Sequence, residues 1–179
     1  MLIAWVDLYG EYVITEKLAK FRTEYEKFTG DEIPWLKILG YYAVSKGLNK
    51  WKLLAIPANK QFTPAPFELT SIYLERDGIK PWLKNSNLNV PNSALNADKK
   101  INILKPFLLA QKNSQFRYRL LLGASWRADV AWLIKERQIE KPSKIKETLG
   151  CSYEPAYRIS KEIKLFLAAS TKTAKILSK

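Results

Sequence analysis

The 179-residue chain predicts a mainly α protein: a helical N-terminal domain over 1–98, followed by a C-terminal domain over 99–179 built on a helix-turn-helix. Three observations predict it. Apolar residues recur every three or four positions through much of the chain, the spacing that lines one face of an α-helix. Only 7 Gly accompany 6 Trp and 9 Tyr, a balance that favours packed helices over turn-rich sheet. The last third divides into three helical periods joined by short turns. With 47% hydrophobic residues, the chain has ample material for a packed core.

In order along the chain, Leu2 to Phe28 reads as one long amphipathic helix. Trp5, Leu8, Tyr12, Leu18, Phe21, Tyr25 and Phe28 form its stripe, with Glu16, Lys17, Lys20, Glu24 and Lys27 elsewhere. Thr29, Gly30 and Asp31 end it. A second, strongly apolar helix is expected from about Ile33 to Ser45, stopped by Gly47, and a shorter third over Leu48 to Ile56. Three prolines in Pro57 to Pro66 impose an extended loop. Phe67 to Arg76 fits either helix or strand, with helix favoured. Asn85 to Asp98 is Asn-rich and without a period, and reads as a loop or linker. A soft domain boundary is therefore placed between residues 85 and 112. Beyond it, a helix begins near Lys105 with Pro106 in its first turn, and another covers Phe116 to Leu122.

The stretch from Ala128 to Ala169 carries the functional reading. Val130, Leu133 and Ile134 give one apolar face to a helix from about Arg127 to Gln138. A compact helix from about Pro142 to Leu149 buries Ile145 and Leu149, and its proline occupies the first turn, where a missing N–H costs least. Gly150 supplies the left-handed residue that ends it. Ser152 then caps a third helix, whose apolar stripe continues through Ala156, Ile159 and Ile163. The small Ala156 permits close approach to the second helix. Left facing outward are Tyr153, Glu154, Tyr157, Arg158 and Lys161, where a helix-turn-helix presents side chains to base edges in the major groove.

With Ile145, Leu149, Gly150, Ser152, Ala156, Tyr157 and Arg158 in matching places, the stretch resembles the helix-turn-helix of many bacterial transcription regulators. The lead-in RYRLLLGASWRADVAWLI, from Arg117 to Ile134, is similar to the first helix of winged-helix regulators. The resemblance covers roughly Phe116 to Ala169. It implies a winged-helix-like domain that binds double-stranded DNA and regulates transcription. Two departures stand against the pattern: Cys151 replaces the usual small apolar residue, and STKTAKILSK after Ala169 has no Gly turn or second strand. The wing is accordingly short or absent, or the chain is a fragment that lacks it.

Charge is distributed to match. Residues 1–100 hold 14 Lys and Arg against 11 Asp and Glu, whereas residues 101–179 hold 16 against 6, so +10 of the net +13 lies in the helix-turn-helix half. A basic face of this kind attracts the phosphate backbone and releases counterions, independent of sequence. Lys144, Lys161 and Lys164 are the expected phosphate contacts; Tyr153, Tyr157 and Arg158 are the expected base readers, with Glu154 able to accept from a cytosine amino group. The plain alternatives are a solvated basic face, Tyr157 packed against the preceding helix, and Glu154 as a first-turn acid favoured by the helix dipole.

Catalysis is not expected. With 0 His and 1 Cys, the chain lacks the commonest general base and any partner to activate Cys151, which reads as a small buried residue in the turn. Carboxylates approach one another only as Glu24 with Glu26 and Asp31 with Glu32, no phosphate-binding Gly loop occurs, and neither a metal site nor a cofactor is implied. The single Cys excludes an intrachain disulfide and fits a reducing cytoplasm; no signal sequence or membrane span is read. Trp5, Trp35, Trp51, Trp82, Tyr41 and Tyr42 either pack as core or line a pocket for an apolar effector of unknown identity. The long first helix is an alternative dimer interface, since such regulators commonly bind as homodimers on two half-sites. The competing function is a protein-interaction module whose helix-turn-helix scaffold binds an acidic partner.

Overall fold

Periodic apolar spacing is expressed mostly as helix in the residues described by the computed structural model: 2–63, 67–95 and 103–177. These residues are mainly helical and contain no strand, only two isolated bridges. No helix among them is long and apolar enough to cross a membrane. The chain divides into two compact units, 1–104 and 105–179. The expected division after residue 98 falls within 96–102, outside the described residues.

The first unit begins with a correction. The stripe from Leu2 to Phe28 is not one helix but two: α1 (Leu2–Tyr9), which runs into a 3-10 turn (Gly10–Tyr12), and α2 (Thr15–Thr29). A continuous helix would give the Gly10 carbonyl to the N–H four residues on. Here that carbonyl accepts instead from the indole Nε1–H of Trp51 at 3.0 Å, and Val13 leaves the helix with ψ 134°. The break sinks Ile14 and Thr15 into the core. It also rotates α2 away from its expected burial. Phe21 and Phe28 stand 56% and 92% exposed, while Arg22, among the charged residues, turns inward and donates to the Leu54 carbonyl.

α3 (Pro34–Ser45) starts on Pro34, where the missing N–H is harmless, and buries Ile38, Leu39, Tyr42 and Ala43. Gly40 lets it press on the next segment: a Cβ there would lie 2.6 Å from the Leu54 carbonyl carbon and from the Ala55 nitrogen. That segment, expected as a helix over Leu48 to Ile56, is a 3-10 helix over Asn49–Leu53 that places Trp51 wholly inside. α4 (Phe67–Asp77) follows the proline-rich loop, of which 57–63 is described.

The Asn-rich stretch is the second correction. It is no linker, because Leu88, Val90 and Leu95 are buried in the same core as Trp51 and Ile38. Its backbone is held by isolated bridges, Phe62 to Leu88 and Ile79 to Pro91. The Phe62 N–H donates to the Asn87 carbonyl at 3.1 Å, and the Asn89 N–H donates to the Phe62 carbonyl at 2.8 Å. Asn87 takes φ 55°, which asparagine tolerates better than most residues. The aromatic residues read as core or pocket divide. Trp51 is fully buried and Tyr42 meets Trp82 edge-on at 5.5 Å, whereas Trp5 and Trp35 remain partly exposed. Burial pushes the Tyr42 phenol up, and the Asp7 carboxylate that accepts its proton at 2.6 Å adds to the effect.

One ion pair in this unit is deeply placed. Lys37, 4% exposed, meets Glu32 Oε1 at 3.0 Å, and the same oxygen accepts from the Asn59 N–H at 2.7 Å. Burial works to raise the Glu32 pKa, but the Asn59 N–H and the Lys37 ammonium prevail and hold the carboxyl below its ordinary value.

The second unit consists of α5 (Pro106–Lys112), α6 (Ser114–Leu122), α7 (Trp126–Arg137), α8 (Pro142–Leu149) and α9 (Tyr153–Leu177). Asn113 caps α6 by accepting the Phe116 N–H at 3.0 Å. Val130, Leu133 and Ile134 of α7, Ile145 of α8, and Ala156 and Ile159 of α9 share one core. α6 is fastened to α7 by a two-bond fork from Arg119 to Asp129, at 2.8 and 2.9 Å, with Asp129 fully buried. Trp132 adds a bond from its indole N–H to Ser114 Oγ at 3.0 Å. Residues 170–177 continue α9 rather than turning into a wing.

Candidate nucleic-acid interface

The turn between α8 and α9 is set by three small or conformationally permissive residues. Gly150 adopts φ 68° and ψ 20°, and its N–H donates to the Lys146 carbonyl at 2.9 Å, closing α8. Cys151 is buried in the turn. Ser152, at the expected cap position, is exposed and immediately precedes α9. Ile145 and Ala156 are each 0% exposed, so α8 and α9 meet across Ile145 and the small Ala156. The geometry follows from the sequence pattern: an apolar pair four residues apart on α8, then a helix whose first inward residue is alanine.

All the expected base and phosphate contacts on α9 come to one face. At 100° per residue, Tyr153, Lys164, Tyr157, Lys161, Glu154 and Arg158 lie within an arc of about 140°, opposite the buried Ala156 and Ile159 and the partly buried Ile163. Tyr153 and Tyr157 are half exposed and stack at 6.2 Å with planes 17° apart. Glu154 lies 3.4 Å from Arg158, one turn away, with both ends in solvent. Lys161 is exposed and makes no ion pair among the described residues.

Local carboxylates temper the basic face. Lys144 of α8 meets Glu147 at 2.8 Å, which raises the lysine pKa and lowers that of the glutamate. Lys164 meets Glu140 at 2.8 Å. Three of the expected contact residues, Lys144, Arg158 and Lys164, therefore start with an intramolecular partner that a phosphate or base would have to displace. Two of these pairings were visible as spacing, at three and four residues along a helix. Glu140 with Lys164 joins separate elements and had no such signal. Nor did the Arg127 to Glu162 pair at 2.7 Å, which links α7 to α9.

No family model matches the chain, and neither curated proteins nor solved structures show a match to it.

Proposed function

We propose that the chain is a sequence-specific DNA-binding protein and transcriptional regulator of the bacterial helix-turn-helix kind. α9 enters the major groove of double-stranded DNA, with Tyr153, Tyr157 and Arg158 reading base edges and Lys144, Lys161 and Lys164 holding phosphates. One observation carries this reading: a tight turn through Gly150 precedes a helix on which one exposed face gathers two aromatic rings, an arginine and two lysines. The concentration of positive charge in residues 101–179 supports it, because that charge supplies the salt-dependent part of affinity. The reading places the protein in the cytoplasm and expects two copies on two half-sites.

The test is fluorescence-anisotropy binding to random duplex DNA across a salt series. Wild type is expected to bind at roughly micromolar Kd, with log affinity falling linearly against log salt. Lys161→Ala should reduce that slope by about one unit, the signature of a lost phosphate contact. Arg158→Ala should cost selectivity for a selected operator more than affinity for random duplex. Absence of binding at low salt would overturn the reading and leave the basic face to an acidic protein partner.

A further inference from the structure

The second unit carries a groove that the DNA reading does not use. It lies among α6, α7 and α9, encloses about 380 Å³, and is walled by Leu121, Leu122, Ala131, Ile163, Phe166 and Leu167. Leu121 and Phe166 stand 75% and 70% exposed at its edge. Side chains this apolar, gathered around one concavity and open to water, mark a binding surface rather than scattered surface leucines. On α9, Phe166 lies off the arc occupied by Tyr153, Tyr157 and Arg158, so the groove and the base-reading face are distinct.

Charge at the rim selects the occupant. Arg127 and Lys135 stand two turns apart on α7, with Ala131 between them as a small floor residue. Arg127 is held by Glu162 at 2.7 Å. Glu136, beside Lys135, accepts from the Tyr118 hydroxyl at 3.2 Å, which directs that carboxylate toward α6. The Lys135 ammonium is left exposed and without an ion pair among the described residues. An apolar trough with one uncommitted cation at its edge fits a molecule with an aliphatic tail and a single anionic head.

Size argues for a small molecule. The volume lies within the roughly 300–1,000 Å³ typical of small-molecule sites. Ten residues line the groove, against about 20–30 on each side of a standard protein interface. A second copy would also bring another strongly basic unit against this one. We infer that the α6–α7–α9 groove binds a free aliphatic monocarboxylate, its tail against Leu121, Leu122 and Phe166 and its carboxylate on Lys135. The inference does not rest on DNA binding, and its test contains no DNA.

The experiment titrates the full chain with decanoate, decanol and decylammonium by isothermal calorimetry, the two ions below their micelle thresholds and decanol below its solubility limit. Sedimentation is run in parallel, and circular dichroism confirms the fold of every variant. Decanoate should bind saturably at one site and more tightly than decanol. Lys135→Glu should weaken decanoate about threefold to tenfold and leave decanol unchanged, the scale expected for a partly exposed charge pair. Leu121→Asp, at a side chain exposed enough to spare the core, should abolish binding of both. Decylammonium binding as tightly as decanoate would overturn the proposal, as would the absence of saturable binding. A concentration-dependent dimer dissolved by Leu121→Asp would assign the groove to a second copy and overturn it too.

Discussion

The two units bury comparable kinds of side chain by different means. In residues 105–179, regular helices of 7 to 25 residues meet through side chains in period, and the turns between them close on caps such as Asn113 and Gly150. In residues 1–104, much of the core comes from chain that is not α-helical: Trp51 from a 3-10 turn, Leu88 and Val90 from a stretch held by single bridges, and Ile14 from a two-residue break. Irregular backbone exposes donors and acceptors that a helix would satisfy internally, so this unit needs specific side-chain partners for them. The Trp51 indole on the Gly10 carbonyl is one such partner, and Ser86 is another. Its hydroxyl donates to the Leu83 carbonyl at 2.6 Å and accepts from the Leu88 N–H at 3.1 Å. Helical periodicity thus organises one unit, whereas single anchoring residues organise the other.

The comparison breaks first at Trp51. Replacing it with Ala removes a fully buried ring and the indole bond to Gly10, and should cost about 3–5 kcal/mol. Hydrogen exchange on the full chain should then show lost protection over α1, α3 and the Asn-rich stretch, with α7 and the first half of α9 still protected. Equal loss in both units would refute the division at residue 104.

Glu32→Gln sharpens it next, because it leaves the Lys37 ammonium buried without its counter-charge. Loss of about 3 kcal/mol is expected in urea unfolding at neutral pH. Since the folded-state pKa of Glu32 is lowered, its contribution is present in full above the ordinary value of 4.5 and is lost as pH falls below it. The wild-type advantage over Glu32→Gln should therefore shrink on acidification from pH 4.5 downward. A constant difference across that range would show that the pair is not the source.

Gly150→Ala is the smallest of the three. Apart from its chain neighbours, no atom lies within 4 Å of the position a Cβ would take, so the penalty is confined to forcing an L-residue to φ 68°. About 1 kcal/mol is expected, read as a shift in the urea midpoint, with Gly150→Asn recovering part of it. A neutral Gly150→Ala would mean that the α8–α9 turn relaxes freely, and the rigid presentation of α9 would lose its basis.

Legibility in the sequence follows the same line between the units. α8 begins at Pro142 and ends at Leu149 as its proline and glycine signal, and α7 lies within one residue of its expected span, because local chemistry decides those boundaries. The outward placement of Tyr153, Tyr157, Arg158 and Lys161 was also readable, since it depends only on where the alanine and isoleucines of α9 must go. By contrast, the aromatic stripe of α2 looked like a buried face and is not one. Nothing within α2 records that Trp51, some forty residues downstream of Gly10, takes the Gly10 carbonyl and turns the helix. The Asn-rich stretch misled for the complementary reason: Leu88, Val90 and Leu95, too few and too unevenly spaced to read as a helix or a strand, fill the core.

By itself the sequence determined a mainly helical chain, the start and stop of most helices in the second half, the concentration of positive charge there, and which side chains of α9 face away from its core. These depend on φ preference, capping and 3.6-residue spacing, all of which act within a few neighbours. Tertiary structure alone decided where the first helix breaks, that Asn85 to Leu95 belongs to the core, which cations of the basic face begin with a carboxylate on another element, and that α6, α7 and α9 leave an apolar groove between them. Each of those depends on groups distant in sequence meeting in space, a relation that local periodicity does not encode.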